Sequence, residues 1–416
     1  MLKNAFQRFK KRPRDRADDY ALRLPNERGA RYVFAKLGTY FFGAAYNDIR
    51  FGALKTVHSG EVALRSKAAI YLIFPSTGVL ASHFDALAFM LANGYAPVIV
   101  SNVALSKADR RALLEHAHLV IERHNFGYDF GGYRDAVLAL QAELPRLQAL
   151  AIFNDSSWFP VSSEQNWLQE AEAKNLDYVG AASHFGVPIQ RPKDFRTLEW
   201  SYNTEHPFFH YCSYALWIGP AILRDKAFLK FWRRFPATDI KRLVVRRGEA
   251  GLTQWVIRRG YRHGSTLDME SLGAEIRALP SAALKKLVTD LPIYPGQNKL
   301  KEQHDLVVAD PDAPDADRAN IVLCSILLQG VGYAIMGYLI ERRNFSFLKK
   351  SPLWLSETSS KRLLAFIETL PGENADRIRA EATNLAAKLS KEAVGRQERP
   401  ARSPTSAVSQ SAGRAA

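Results

Sequence analysis

Short apolar runs alternate with amphipathic stretches between Ala69 and Phe153. Ala69–Phe74 is continuously apolar and is stopped by Pro75, which predicts a buried strand. Ser82–Asn93 carries helical spacing, with Gly94 as its C-terminal cap. Pro97–Val100 predicts a second strand, ended by Ser101 and Asn102. Ser106 is placed to cap a helix over Lys107–Ala117, and His118–Ile121 predicts a third strand. After a loop, a helix is expected over Tyr133–Leu144 and a fourth strand over Leu147–Phe153. Strands alternating with helices of this length predict an α/β, Rossmann-type parallel sheet with helices on both faces. Ligands of such sheets sit beyond the carboxyl ends of the strands. Downstream, Asp177–Ala182 and the longer Phe209–Ile218 predict further strands. Ala221–Phe235 predicts an amphipathic helix, and the stretch from Arg246 runs into a helix ending at Gly260-Tyr261.

Two segments need separate treatment. Ala319–Ile340 has no formal charge and reaches the ~20 residues a bilayer span requires. Its Asn320, Ser325 and Gln329 and its three glycines fit a buried helix or helix pair equally. From about Lys391 the chain is rich in Ser, Ala, Pro and Arg and poor in large apolar residues, which predicts a disordered tail over 391–416. No fixed-period repeat is visible, so a solenoid or propeller is not expected.

Composition adds charge to this picture. The chain has 416 residues and a net charge of +15. An excess of that size favours anionic partners. Lys3, Arg8, Lys10, Lys11, Arg12, Arg14 and Arg16 crowd the start, with Leu2, Phe6 and Phe9 at helical spacing. A basic amphipathic helix on a membrane surface and a frayed terminus both fit; the apolar core of a secretory signal is missing. Two cysteines, Cys212 and Cys324, exclude a disulfide framework and suit a reducing compartment. No helix-turn-helix, zinc-finger or RNA-binding signature accompanies the charge, so no nucleic-acid partner is expected.

Chemistry concentrates after the third and fourth strands. Arg123 to Asp135 reads RHNFGYDFGGYRD. Its three glycines would let backbone approach a ligand, Asp129 could accept from a ribose hydroxyl or base N–H, and Arg134 could reach a phosphate. A tight turn with core aromatics and an Asp–Arg pair fits the same residues. The fourth strand ends in Asn154-Asp155-Ser156, where a carboxylate could hold Mg2+ or Mn2+, or cap a turn. Glu249, at the expected start of a helix, is the foremost general-base candidate; dipole stabilisation at the helix start would explain it as well. Arg246 and Arg247 lie in a basic stretch, Lys241–Arg262, suited to phosphate oxygens. His263 is a candidate further metal ligand.

The run Asn125 to Asp135, followed by Phe153-Asn154-Asp155-Ser156, resembles the rhamnan synthesis protein F family of bacterial cell-surface polysaccharide assembly. The resemblance spans roughly 68–350 and includes Asn344–Leu353. The arrangement is also similar to inverting nucleotide-sugar glycosyltransferases of the GT-A fold, with Asn154-Asp155-Ser156 at the place of their D-x-D and Glu249-Ala250 at the place of their E-D. Each of those motifs departs from the pattern, at Asn154, Ser156 and Ala250. The resemblance implies a basic N-terminal region over 1–65, a GT-A-like domain over 66–275 and a mainly helical extension over 276–390. It implies transfer of rhamnose or a related deoxyhexose, with inversion, from a nucleotide sugar such as dTDP-rhamnose. The acceptor would be a cell-surface polysaccharide or lipid-linked glycan at the cytoplasmic face of the membrane, where the protein would be peripheral. Glu249 would deprotonate the acceptor. Asn125, Gly127, Asp129, Arg134, Asn154 and Asp155 would hold the donor, Arg246 and Arg247 its phosphates, and Asp155 with His263 a Mg2+ or Mn2+ ion. The alternative implied by the incomplete motifs is a non-catalytic binding or scaffold protein of the same assembly.

Overall fold

The structure is a computed structural model that describes residues 30–397 except Ser163. The basic stretch 1–16 and residues 398–416 of the expected tail lie outside the described residues. The final helix, Glu373–Gln397, carries regular structure past residue 391, where the composition predicts the tail to begin.

The centre is an eight-stranded sheet. Its strands are β1 (Thr56–Ser59), β2 (Lys67–Ile73), β3 (Tyr95–Ser101), β4 (Leu119–Glu122), β5 (Ala149–Asn154), β7 (Tyr178–Gly180), β10 (Ala215–Ile218) and β11 (His263–Ser265). The order is β1-β4-β3-β2-β5-β10-β7-β11. β1 and β10 run against the rest. The remaining neighbours pair in parallel. Two small ribbons add to it: β6 (Ser157–Trp158) with β12 (Leu348–Lys349), and β8 (Ser183–His184) with β9 (His210–Tyr211).

Alternate residues of each central strand feed opposite faces, as the pleat requires. Tyr71, Ile73, Ile99 and Phe153 share one core with Leu284, Val322, Leu323 and Phe347, so the C-terminal helices cover that face. Ile70, Leu72, Val100 and Ile152 pack on the other face with Phe130, Tyr133 and Trp232. The uncharged stretch becomes three helices, Asp315–Gln329, Val331–Ala334 and Met336–Arg343, with a turn at Gly330 (φ +88°). Its polar groups are satisfied within the protein: Asn320 Nδ2 donates to Arg196 O, and Gln329 Nε2 to Pro292 O. Among the described residues no helix is long and apolar enough to cross a membrane.

Four local expectations are corrected. The helix expected from Tyr133 starts at Tyr128 and ends at Ala139, so Gly131 and Gly132 lie inside it. A Cβ on Gly131 would stand 2.2 Å from Phe126 O, and one on Gly132 2.2 Å from Leu72 Cδ1. These glycines let the helix close on its own entry turn and on the sheet, not on a ligand. The strand expected over Phe209–Ile218 is two strands, β9 and β10, separated by the turn Cys212–Tyr214. The helix expected over Ala221–Phe235 breaks at Asp225, whose carboxylate accepts from Ala227 N and starts a new helix, Lys226–Arg233. Glu249 does not open a helix: Lys241–Arg258 is continuously helical, with a wide π turn over Arg246–Ala250.

Candidate active site

The carboxyl end of β5 is the focus. Asn154 Nδ2 donates to Asp129 Oδ2 (3.2 Å) and to the Tyr133 hydroxyl (3.0 Å). Tyr133 donates in turn to Ser213 O (3.0 Å), and Ser213 Oγ donates to Glu249 Oε1 (2.7 Å). The other Glu249 oxygen stands 3.3 Å from His210 Nε2. The network therefore joins β5, the helix Tyr128–Ala139, the turn after β9 and the π turn. A π turn inserts a residue without ending the helix, and such turns recur at functional sites. Here it carries Glu249 between Gly248, packed under the Phe130 ring, and the buried Ala250.

Asp155 is held by a different set of partners. Its Oδ2 accepts from Phe74 N (2.7 Å) and lies 3.4 Å from His83 Nε2. His83 Nδ1 accepts from Leu80 N, which leaves the ring proton on Nε2, facing Asp155. Asp155 Oδ1 retains no protein partner among the described residues and is open to a ligand.

The charges are strongly coupled. Burial pushes the Asp129 carboxyl up, and the Asp155 and Glu249 carboxylates push it further, to about 6. Burial also pushes Glu249 up, but His210, Ser213 and Lys349 outweigh it and hold the carboxyl below its usual range. Asp155 is likewise held low, burial being outweighed by His83, Lys350 and Phe74 N. His210, opposed by burial, is raised by Glu249. His184, whose ring lies edge-on to His210, is pushed down to about 3 by burial and by that neighbour. Glu249 is thus an ionised carboxylate beside the His210 imidazole.

The sequence-derived candidates fare differently. Asp129, Asn154, Asp155 and Glu249 converge. Asn125 lies at the entry to the helix Tyr128–Ala139 with its Oδ1 buried and unpartnered. Gly127 caps that helix at φ +81°, a conformation that favours glycine. Arg134 does not face a ligand: it is buried, forks onto Asp48 with two 2.7 Å bonds, and donates to Trp232 O. Arg247 is also engaged within the protein, on Thr39 Oγ1 (3.1 Å) and Pro236 O (3.0 Å). Arg246 is exposed and lies over the Phe208 ring, beside the His210 ribbon.

His263 is at the wrong end of the sheet for a shared ion. It lies opposite Tyr178, which pairs with Ile218, which pairs with Leu150. That is four residues before Asn154, roughly 13 Å along the strands. Its Nδ1 meets the Tyr211 hydroxyl at 2.7 Å. Asn154 Oδ1 is occupied by Ser156 N and Oγ. Among the described residues no three His, Cys, Asp or Glu side chains group to hold a metal ion. The residues present fit a resident Mg2+ or Mn2+ poorly; Asp155 Oδ1 is the one open carboxylate oxygen in the Asn154-Asp155-Ser156 turn.

Sequence reasoning missed His210, Ser213, His83 and Lys349, while Tyr133, an aromatic of the Arg123–Asp135 loop, proves to hydrogen-bond Asn154 and Ser213. No local pattern marks the missed residues, since each acts through a partner remote in the chain; Lys349 lay in the run that carried the family resemblance. A cavity of about 840 Å3 opens elsewhere, in the helical layer among Leu287, Tyr294, Met336, Leu363 and Phe366, with Tyr333 in its wall.

Residues 97–290 match the model of the rhamnan synthesis protein F family, the family that the 125–135 loop resembles. An uncharacterised protein of Sinorhizobium fredii is 35% identical over 199 residues, 48% of each chain. The chain thus spans about half the length of that curated relative. Among solved structures, a mannosyltransferase of Pyrobaculum calidifontis in complex with GDP-Man and Mn2+ has 13% identity and a TM-score of 0.27, covering 87% of this chain and 96% of its own. A mannosyltransferase of S. cerevisiae has 10% identity and a TM-score of 0.23, covering 47% and 66%. Similarity at that level carries no argument about this chain.

Proposed function

We propose that the chain is an inverting glycosyltransferase of GT-A type that moves a sugar from a nucleotide-sugar donor to a glycan acceptor in polysaccharide synthesis. The observation that carries this reading is the coupled arrangement of Glu249, Asp129 and Asp155 across the carboxyl ends of the strands. Glu249 Oε2 and His210 form a base pair of groups, and Glu249 takes the proton of the acceptor hydroxyl. The acceptor oxygen bonds to the sugar C1 as the C1–O bond to phosphate breaks, and its electron pair leaves with the nucleoside diphosphate. Asp129 accepts from donor hydroxyls, and Asn154 fixes its orientation. A Mg2+ or Mn2+ ion carried in by the diphosphate would find Asp155 Oδ1 as its protein ligand and would neutralise phosphate charge. Rhamnose or a related deoxyhexose is the donor sugar that the family match favours.

The reading extends to the membrane. The helix Ala30–Phe51 leaves Phe41 70% and Ile49 84% exposed, with Tyr40 and Phe42 also in solvent. Aromatics of that kind on a chain of charge +15 suit peripheral contact with an anionic bilayer carrying a lipid-linked acceptor. Asn154, an amide at the place of a carboxylate, is the observation that favours a non-catalytic binding protein instead.

The test is a panel of nucleotide sugars scored by thermal stability, with and without Mn2+ or Mg2+. A donor at 100 times its Kd should add about 2.7 kcal/mol. Stabilisation by one donor class, lost in Asp155→Ala, is the expected result. Donor binding without turnover under any cation would select the non-catalytic reading. No binding by folded protein would overturn both donor readings.

A further inference from the structure

Two consecutive lysines near the C-terminal side of the molecule are both buried, and they are treated differently. β12 pairs with β6 in the register Leu348↔Trp158 and Lys349↔Ser157, and Lys350 N donates to Ser156 O (3.0 Å). Neighbouring side chains of a strand point to opposite faces. Lys350 turns to Glu381, 3.1 Å away, and to Ser82 Oγ. That pair is closed: Glu381 also accepts from Trp158 Nε1 (2.8 Å) and Ser82 N (3.1 Å).

Lys349 turns the other way, toward the end of β5. Its ammonium donates to Ser156 Oγ (3.1 Å), the residue after Asp155, and lies 3.6 Å from the centre of the Tyr214 ring. No carboxylate is within ion-pair distance of it among the described residues. An ammonium has three N–H donors, and the structure occupies one. A side chain only 7% exposed thus holds a positive charge with two donors unassigned. Burying a charge without a countercharge costs several kcal/mol, which the Tyr214 and Tyr333 rings, 3.6 and 6.0 Å from the ammonium, offset only in part. The surroundings keep it oriented: the backbone is paired on both sides, and the ring below supplies a cation–π contact. Asp129 and Glu249 lie within electrostatic reach but not contact, and burial leaves the ammonium at about 8.

We infer that Lys349 is the phosphate-binding cation of this site, supplying through its two open N–H donors the charge that the departing diphosphate requires. The inference rests on the transferase reading and deepens it. In the transfer step the C1–O electron pair goes to the diphosphate oxygen, and Lys349 stabilises that oxygen by hydrogen bonding. No proton need move from the lysine. The poor fit of the site to a resident ion agrees with a protein-borne cation in this place, beside the one open oxygen of Asp155.

The experiment is calorimetric titration of the full chain with inorganic pyrophosphate and with UDP, GDP and dTDP, in chelator and again in Mg2+. Wild type is expected to bind one or more of the diphosphates in chelator. Lys349→Met, isosteric and uncharged, should weaken that binding about ten- to a hundredfold, the worth of a charged hydrogen bond. Lys361→Met, at an exposed lysine paired with Glu357 and outside the site, should leave the affinity unchanged. If Lys349→Met does not fold, Lys349→Gln replaces it, with the same loss expected. Equal binding by wild type and the Lys349 variant would overturn the role of Lys349 and leave the transferase reading standing. Absence of binding by folded wild type to every diphosphate, with and without Mg2+, would overturn both. Binding by wild type only in Mg2+, unchanged in the variant, would assign the phosphate to the metal and overturn the inference.

Discussion

At Asp129, burial and the Asp155 and Glu249 carboxylates hold the carboxyl up to about 6, against an ordinary 3.8. A raised carboxyl means the ionised form is disfavoured in the folded state. The resulting destabilisation is absent below about pH 4, grows through pH 6 and is complete above it. A rise of that size corresponds to about 3 kcal/mol. Asp129→Asn should therefore raise stability at pH 7.5 by about 1–3 kcal/mol, and the gain should vanish near pH 4. Under the donor role proposed for Asp129, the same variant should bind donor more weakly. Melting curves at the two pH values, with donor titrations beside them, measure both effects. Glu249 is the opposite case: its carboxyl is held low, so it stays ionised near neutrality. Glu249→Gln should keep the fold and lower transfer by about 10²–10⁴.

The helix Tyr128–Ala139 shows how an element can carry a motif whose residues divide between fold and site. Asp129 faces the end of β5, whereas Arg134, one turn on, is drawn onto Asp48 and anchors the helix Ala30–Phe51. Arg134→Met should cost about 1–3 kcal/mol, reduced from a fully buried pair because the Asp48 side chain is 54% exposed. Hydrogen exchange should then rise over residues 30–51, while donor affinity stays at the wild-type value. Loss of donor binding with unchanged exchange would return Arg134 to the phosphate. The alternation of strands and helices is legible in the sequence, because each apolar run reports its own burial. The end of β5 and the loop before Tyr128 are legible as chemistry for the same local reason. The roles of Gly131 and Gly132 are not, because a helix packed on Leu72 and a backbone open to ligand both require a missing Cβ, and only the tertiary contact separates them. The π turn at Glu249 leaves no sequence signal, since the chain stays helical on both sides of it.

Over the whole molecule the C-terminal third is bound into the sheet. Phe347 joins the core beneath β5, and Lys350–Glu381 joins β12 to the final helix beside Trp158 and Ser82. Breaking a buried pair by removing one partner costs about 3–5 kcal/mol. Lys350→Met should accordingly lower the melting temperature by several degrees, in contrast to a surface lysine such as Lys361, whose change should be near neutral. The exposed aromatics of the helix Ala30–Phe51 make a prediction at the same scale. Flotation with anionic vesicles should retain the protein, Phe41→Ser with Ile49→Ser should release much of it, and neutral vesicles should bind little. Equal binding by the double variant would remove that helix from the membrane contact.

The central claim is that Glu249 is the base of a sugar transfer at the end of β5. Its most direct test is acceptor-dependent release of nucleoside diphosphate by wild type and by Glu249→Gln, with donor affinity measured on both. The account predicts equal donor affinity and release at least about a hundredfold slower in the variant. Equal release by the two proteins would contradict it.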